Sequence, residues 1–329
     1  MTLIAATMES FFVERLAQQK RASPDTIAAY RDTMRLLLGF VHDKTGTPPA
    51  KLDWGQLDAV MITGFLDYLE SDRGNTVRTR NMRLTAIRSL FSYASLRHPE
   101  HAATISHVLA IPTKRYEKAT ITFLDPVETK ALIGAPDPDT WEGKRDQVFI
   151  ATAIQTGLRL SELLNLTGAD VTTRVGPNVR CLGKGRKYRA VPLSPPIAKM
   201  LDAWIKHNRI GADQPVFATR NGRRLSPDAI QRRLNLHAVK AAEQCPSLIG
   251  RQLHPHVLRH TAAMNLLHAG VDTTVIALWL GHADIRSTGA YLHADLAIKE
   301  RALAKLDQPN TPTGRYHPSD RLLTFLESL

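Results

Sequence analysis

Cysteine is nearly missing from this chain of 329 residues: Cys181 and Cys245 are the whole complement. Two thiols far apart in sequence supply neither a disulfide framework nor a multi-thiolate zinc site, which excludes structural zinc and dithiol redox chemistry. Long apolar runs are missing too. No stretch approaches the ~18 residues of a membrane-spanning helix, and Met1 to Phe12 lacks the basic start and long apolar stretch of a secretory leader. A soluble cytoplasmic protein with no membrane partner is expected. Acidic side chains are in deficit: Asp plus Glu is 31 against 43 for Lys plus Arg, a formal net charge of +12. That imbalance points to a polyanionic partner, with nucleic acid ahead of an anionic membrane surface.

What is present suits two folded domains: the length fits that prior, and 43% apolar content gives each a core to build. The charge is uneven. Residues 1–110 carry 13 basic and 11 acidic side chains, the remainder 30 and 20. Between the two parts, residues 111–122 are polar and basic, hold a proline and show no helical period, as a linker does.

The first part reads as helices. Ser23-Pro24 supplies an N-cap and an N1 proline, and Ile27, Tyr30, Met34, Leu37, Leu38 and Val41 then recur at three and four residues. A shorter helix spans 59–69, and Thr76 caps another reaching about Tyr93. That helix directs Leu84, Ile87, Leu90 and Phe91 to a core and Arg78, Arg80, Arg83 and Arg88 to other faces, where they can lie against phosphates or simply face solvent. The second part mixes types. Asp125-Pro126-Val127-Glu128 has the layout of a capping box. Gly157 interrupts a helical run begun near Arg145. Residues 181–193 read as strand, Gly-rich turn, strand. Ser194-Pro195 and Ser226-Pro227 look like helix starts, and further helices are expected over 256–268 and 272–280, stopped by Gly270 and Gly281.

Five segments gather groups suited to a phosphodiester. In TGLRLSE, 156–162, a glycine ends one helix and Arg159 opens the next, where its fork can bind a phosphate beside unpaired backbone N–H groups. An ion pair with Glu162 is the competing reading. Around the 183–187 turn, Arg174, Arg180, Lys184, Arg186, Lys187 and Arg189 occur with no acid between them. Glycines on both sides of Lys184 let the tip approach a backbone, where a lysine can protonate a leaving alkoxide; a solubilising tip is the plainer alternative. In HPHVLRH, 254–260, His256, Arg259 and His260 fall at i, i+3 and i+4 on one helix face, while Val257 and Leu258 turn inward. The histidine spacing also suits a metal, but no Glu follows His256 and Arg259 would repel a cation, so no metal is expected. Last come Leu280-Gly281-His282 and, nine residues on, Tyr291. A phenol of pKa ~10 is a poor nucleophile unless cations stabilise its oxyanion, and alone Tyr291 reads more simply as a half-buried aromatic.

Taken jointly and in order, these residues and the words around them resemble the tyrosine recombinase (phage integrase) family, Xer-type enzymes included. The words are TGLRLSEL at 156–163, GKGRKYRAVPL at 183–193, HPHVLRHTAA at 254–263 and LGHADIRSTGAYLH at 280–293. The resemblance covers about 123–293. SPDTIAAYRDTMRLLLGF and NTVRTRNMRLTAIRSLFSYA match the family's helical core-binding domain more loosely. The stretch after Tyr291, ending GRYHPSDRLLTFLESL, looks more like integrases carried by transposable elements.

The resemblance implies a mainly α fold with a small β-sheet: a helical, SAM-like core-binding domain (1–110), a linker (111–122), a mixed α/β catalytic domain (123–307) and a tail (308–329). A short helix near Asp320–Leu329 would dock on a neighbouring protomer or on its own domain. It implies a site-specific recombinase in which Tyr291 attacks the scissile phosphorus and takes the 3′ side as a phosphotyrosine. Arg159 and Arg259 would hold the non-bridging oxygens, Lys184 protonate the leaving 5′ oxygen, His256 assist proton transfer, His282 hydrogen-bond the phosphate and Glu162 orient Arg159. No cofactor, metal or ATP is called for. The implied partner is double-stranded DNA with specific core sites, in the nucleoid, recombined by a homotetramer, alone or with related recombinases, through a Holliday junction. Candidate DNA contacts are Arg78, Arg80, Arg83, Arg186, Lys187, Arg189, Arg232 and Arg233; Arg80, Arg83, Arg232 and Arg233 are candidates for reading base edges. Two other readings remain open: a DNA-binding accessory protein without chemistry, and a type IB topoisomerase.

Overall fold

The computed structural model describes residues 4–116, 121–183 and 188–281. The chain divides into two compact units, Met1–Ala119 and Thr120–Leu329, and each builds its own buried core.

The first unit is helical. Helix α1 (Ile4–Ser10) runs into a π-helical stretch, Phe11–Gln19, followed by α2 (Pro24–Thr45), α3 (Ala59–Ser71), α4 (Val77–Ala94) and α5 (Ala102–Ala110). The expected caps form: the Ser23 hydroxyl accepts from the Thr26 amide at 3.3 Å and that of Thr76 from the Thr79 amide at 3.3 Å. Met34, Leu37 and Val41 of α2 are buried with Leu84, Ile87, Leu90 and Phe91 of α4. Each such side chain stabilises the unit by about 1.5–3 kcal/mol relative to leaving it exposed. Helix α5 was not anticipated, because it has no side-chain cap and too few buried positions to display a period.

Two sequence expectations change in this unit. Arg80, placed among the DNA contacts, is only 3% exposed. Its Nη1 donates to the Pro112 carbonyl at 3.2 Å, and Glu70 lies 3.7 Å from its Nε. Helical spacing explains this: Arg80, Leu84, Ile87 and Phe91 share one face, so the guanidinium is carried inward with them. The expected linker, in turn, is not free over its first half. Arg88 donates to the Ile111 carbonyl, the Asn81 side-chain amide donates to the Lys114 carbonyl at 2.8 Å, and the Lys114 ammonium meets Glu70 at 2.5 Å. Residues 111–114 are thereby tied to α3 and α4.

The second unit opens with α6 (Pro126–Gly134) on the capping box read from the sequence: the Asp125 carboxylate accepts from the Glu128 amide at 2.8 Å, and Glu128 accepts from the Asp125 amide at 3.1 Å. Helix α7 (Trp141–Thr156), capped by Thr140, packs on α9 (Pro195–His207) and α11 (Pro255–His268). After α7 come the short α8 (Leu160–Asn165) and a three-stranded antiparallel sheet of β1 (Val171–Thr172), β2 (Asn178–Leu182) and β3 (Tyr188–Pro192), in that order. Val179 pairs with Val191 and Cys181 with Arg189. Helices α10 (Pro227–Ala242) and α12 (Thr273–Leu280) complete the described part. The Ser226 hydroxyl accepts from the Ala229 amide at 3.1 Å, as the Ser-Pro start predicts.

Candidate active site

Three segments distant in sequence meet at the C-terminal end of α12. Gly157 ends α7 in a left-handed conformation, φ +63°, and a Cβ there would sit 2.6 Å from Leu280 Cδ2 and 3.0 Å from Ala262 Cβ. Only glycine lets the α7–α8 turn approach α11 and α12 this closely. Two residues later Arg159 stands at the N-cap of α8, where its amide donates to Glu162 Oε2 at 2.8 Å and its Nη1 to Oε1 at 2.9 Å. Its Nη2 donates to the Gly281 carbonyl at 2.9 Å. From α11, one turn after His256, the buried Arg259 donates to the Gly157 carbonyl at 2.6 Å and to the Leu280 carbonyl at 2.8 Å. The last carbonyls of a helix have no intrahelical donor and carry the negative end of its dipole, so guanidiniums are the natural partners for that end.

Glu162 is the acid at the centre of this cluster. Burial by itself would raise its pKa, but the hydrogen bonds from Arg189 and the Arg159 amide, with the charges of both arginines, outweigh burial and hold it below the ordinary carboxylate range. It is ionised at neutral pH. Cys181 lies across the sheet from Arg189, and its thiol is pushed up to about 11, chiefly by burial. It stays protonated and is no nucleophile.

His256, at the start of α11, is exposed, and its ring centre lies 6.4 Å from that of His260. Its pKa is lowered, first by desolvation against the protein and then by His254, Arg259 and Arg159. A neutral imidazole beside two guanidiniums can accept or relay a proton near neutrality. His260 is lowered to about 4, again by burial first and then by His256, His254 and Arg259. Among the described residues no group of three His, Cys, Asp or Glu side chains is spaced to hold a metal ion.

Arg189 was expected to contact DNA, and its position is different. Its side chain is 13% exposed; Nη1 and Nη2 clasp Glu162 at 3.0 and 2.8 Å, and Nε donates to the Trp279 carbonyl at 3.1 Å. Strand alternation was the available signal, since Arg189 shares its face with the buried Val191 and Leu193. On α10, Arg232 is exposed, whereas Arg233 pairs with Asp146, a buried α7 carboxylate also held by Arg145 at 2.8 Å and by His237 at 2.8 Å. In the first unit Arg78 is exposed and Arg83 half-buried. Lys184, Arg186, Lys187, His282 and Tyr291 lie outside the described residues, as does the tail from 308.

A helical unit followed by a mixed unit, with Arg159 from the α7–α8 turn and the buried Arg259 from α11 gathered at one helix end, is the architecture of a tyrosine recombinase. Sequence comparison agrees. The profile of the Phage integrase family matches residues 122–297, and that of the phage integrase N-terminal SAM-like domain matches 10–98. The Sinorhizobium fredii protein y4rC, which carries the name integrase/recombinase, is 47% identical over 99% of this chain and 98% of its own. Tyrosine recombinase XerC of Pseudomonas aeruginosa strain PAO1 is 32% identical over 93% of this chain and 98% of its own. Among solved structures, the Tn1549 transposon integrase with transposon right end DNA superposes with a TM-score of 0.70 at 16% identity, covering 93% of this chain and 99% of that one. XerH recombinase bound to a palindromic difH substrate gives 0.68 at 21% identity, with 87% and 81% covered. The chain belongs to the phage integrase family of tyrosine recombinases.

Proposed function

We propose that this protein cuts and rejoins duplex DNA at specific core sites through a 3′-phosphotyrosyl intermediate. The observation that carries the reading is the shared location of Arg159 and Arg259, which reach the carbonyl end of α12 from α8 and α11 with a lowered-pKa imidazole, His256, alongside. Two guanidiniums at one place suit a phosphodiester whose non-bridging oxygens gain charge in the transition state, and such preorganised donors are the largest electrostatic contribution available there. The Tyr291 phenolate oxygen forms the new bond to phosphorus while the bond to the 5′ oxygen breaks. The phenol proton leaves by way of His256, and Lys184 protonates the departing 5′ oxygen, which becomes a hydroxyl. His282 donates to the phosphate. The phosphodiester bond energy is kept in the phosphotyrosine, so rejoining needs no ATP. Two arginines and a lysine supply the charge that divalent ions supply elsewhere, so cleavage is expected to resist EDTA.

Four protomers would bring two duplexes together and exchange strands in two steps through a Holliday junction. Integration on behalf of a mobile element is the outcome we favour, in keeping with the integrase/recombinase name of y4rC. Exposed basic residues such as Arg78 and Arg232 would meet phosphates or base edges, together with Arg186 and Lys187 of the hairpin turn. A nicked suicide substrate tests the chemistry. The wild type is expected to accumulate a covalent protein–DNA adduct and Tyr291→Phe none. Arg159→Ala and Arg259→Ala are each expected to slow its formation by about 10²–10³. An adduct that forms equally well in Tyr291→Phe would end the proposal.

A further inference from the structure

The two oxygens of Glu162 accept four hydrogen bonds: Arg159 Nη1 and Arg189 Nη1 on Oε1, the Arg159 amide and Arg189 Nη2 on Oε2. Arg189 makes the two-pronged, parallel contact; Arg159 gives the carboxylate only one side-chain donor and keeps the larger exposure, 29% of its side chain against 13%. The charges then sum to one net positive across the trio. Without Arg189, a buried carboxylate facing one guanidinium would draw it into a two-pronged pair of zero net charge, turning its remaining donors from any phosphate. Arg189 also touches the turn that leads into His282: it donates to the Trp279 carbonyl, and a Cβ on Gly281 would lie 2.7 Å from its Nη1. Gly281 has φ +65°, so the backbone passes directly over the guanidinium at a point where only glycine fits.

We propose that Arg189 is a positioning residue of the recombinase: by neutralising and anchoring Glu162 it leaves Arg159 cationic and aimed at the scissile phosphate, and it fixes the 279–281 turn from which His282 extends. The role belongs to β3, which begins four residues after Lys184 in the sequence. The inference rests on the reading of Arg159 as a phosphate ligand.

The test is single-turnover cleavage of two suicide substrates, one with an ordinary scissile phosphodiester and one with a methylphosphonate there, whose phosphorus centre carries no charge. With the phosphodiester, Arg189→Gln is expected to cleave about 10²-fold more slowly than wild type, as misplacement of a catalytic group by about an ångström does, while DNA affinity stays within about twofold. On the methylphosphonate, where net charge at Arg159 counts for little, the gap is expected to close to about threefold or less. Adding Glu162→Gln to Arg189→Gln removes the unbalanced acid and is expected to recover about tenfold of the lost rate. Arg189→Lys, which keeps the charge and loses the fork, carries the same comparison if the glutamine variant does not fold, with a phosphodiester loss of about tenfold. Wild-type rates in both Arg189 variants, or an equal loss on both substrates with no recovery from Glu162→Gln, would overturn the proposal. Arg159→Ala, assayed alongside, separates the two ideas: wild-type cleavage in that variant refutes the phosphate-ligand reading itself, whereas loss there with no loss at Arg189 refutes only the positioning role.

Discussion

Both units gather two basic side chains around one shared carboxylate, and the two versions differ in what they hold. In the first unit Glu70 sits between Arg80 and Lys114, with its side chain 21% exposed, and the bonds fasten the outgoing segment 111–114 to α3 and α4. In the second, Glu162 sits between Arg159 and Arg189, 5% exposed, and the bonds fasten the end of α12. The first is a structural latch at the edge of a domain. The second lies where two turns and a strand converge, so the same chemistry builds a site. Depth and convergence separate the two, not the number of cations.

Substitution of the two acids probes that contrast most strongly. Glu162→Ala leaves two cations without their acid in a buried setting and is expected to destabilise the second unit by about 3–5 kcal/mol. Glu70→Ala removes a partly exposed acid that lies 3.7 Å from Arg80 and is bonded to a half-exposed Lys114, and is expected to cost about 1 kcal/mol. Urea unfolding followed by fluorescence measures both, and equal costs would erase the distinction drawn from depth. A second, smaller effect belongs to the catalytic unit alone. His260 has a folded pKa of about 4, below the ~6.5 of an unfolded imidazole, so between those values the unfolded chain binds the proton more readily. The stability involved is complete above pH ~6.5, is lost as pH falls toward 4 and is constant below; discounted for the ring's partial exposure, it is on the order of 1 kcal/mol. His256 shifts in the same direction. Urea midpoints between pH 7 and 4.5 should fall less in His260→Gln than in wild type, and parallel curves would reject the assignment. The smallest effect separates arginines within one helix. Arg78 on α4 faces solvent and Arg80 faces the core. Arg78→Gln is expected to lower the salt slope of DNA binding by about 1 on a log–log plot, and Arg80→Gln to leave the slope unchanged. The reverse pattern would mean that Arg80 turns outward on DNA.

Much of the fold was legible because it is written in local chemistry. The Ser23-Pro24, Thr76, Asp125 and Ser226-Pro227 helix starts, the two strands that flank residues 183–187 in the sequence and the apolar face of α4 all form as the residues dictate. Helix α5 and the π-helical stretch escaped because they lack caps and carry few buried positions. Of the candidate site, Arg159, His256, Arg259 and Glu162 could be named from their sequence neighbourhoods. Arg80 and Arg189 were assigned to the wrong side of their elements, although helical spacing in one case and strand alternation in the other already placed them on buried faces. A count of basic residues overrode the period, and the period was the better guide.

Most of the helical framework, the family resemblance and the residue types able to act on a phosphate are written in the chain's local order, because caps, periods and short words act within a few residues. Which guanidiniums meet is settled by packing. Arg159, Arg189 and Arg259 stand on three separate elements, and their partners, the carbonyls of 279, 280 and 281 and the carboxylate of Glu162, become neighbours when α7, α8, α11, α12 and the sheet pack together. Burial then makes each carbonyl and each charge require a partner, and that requirement turns basic residues scattered along the chain into a fixed cluster.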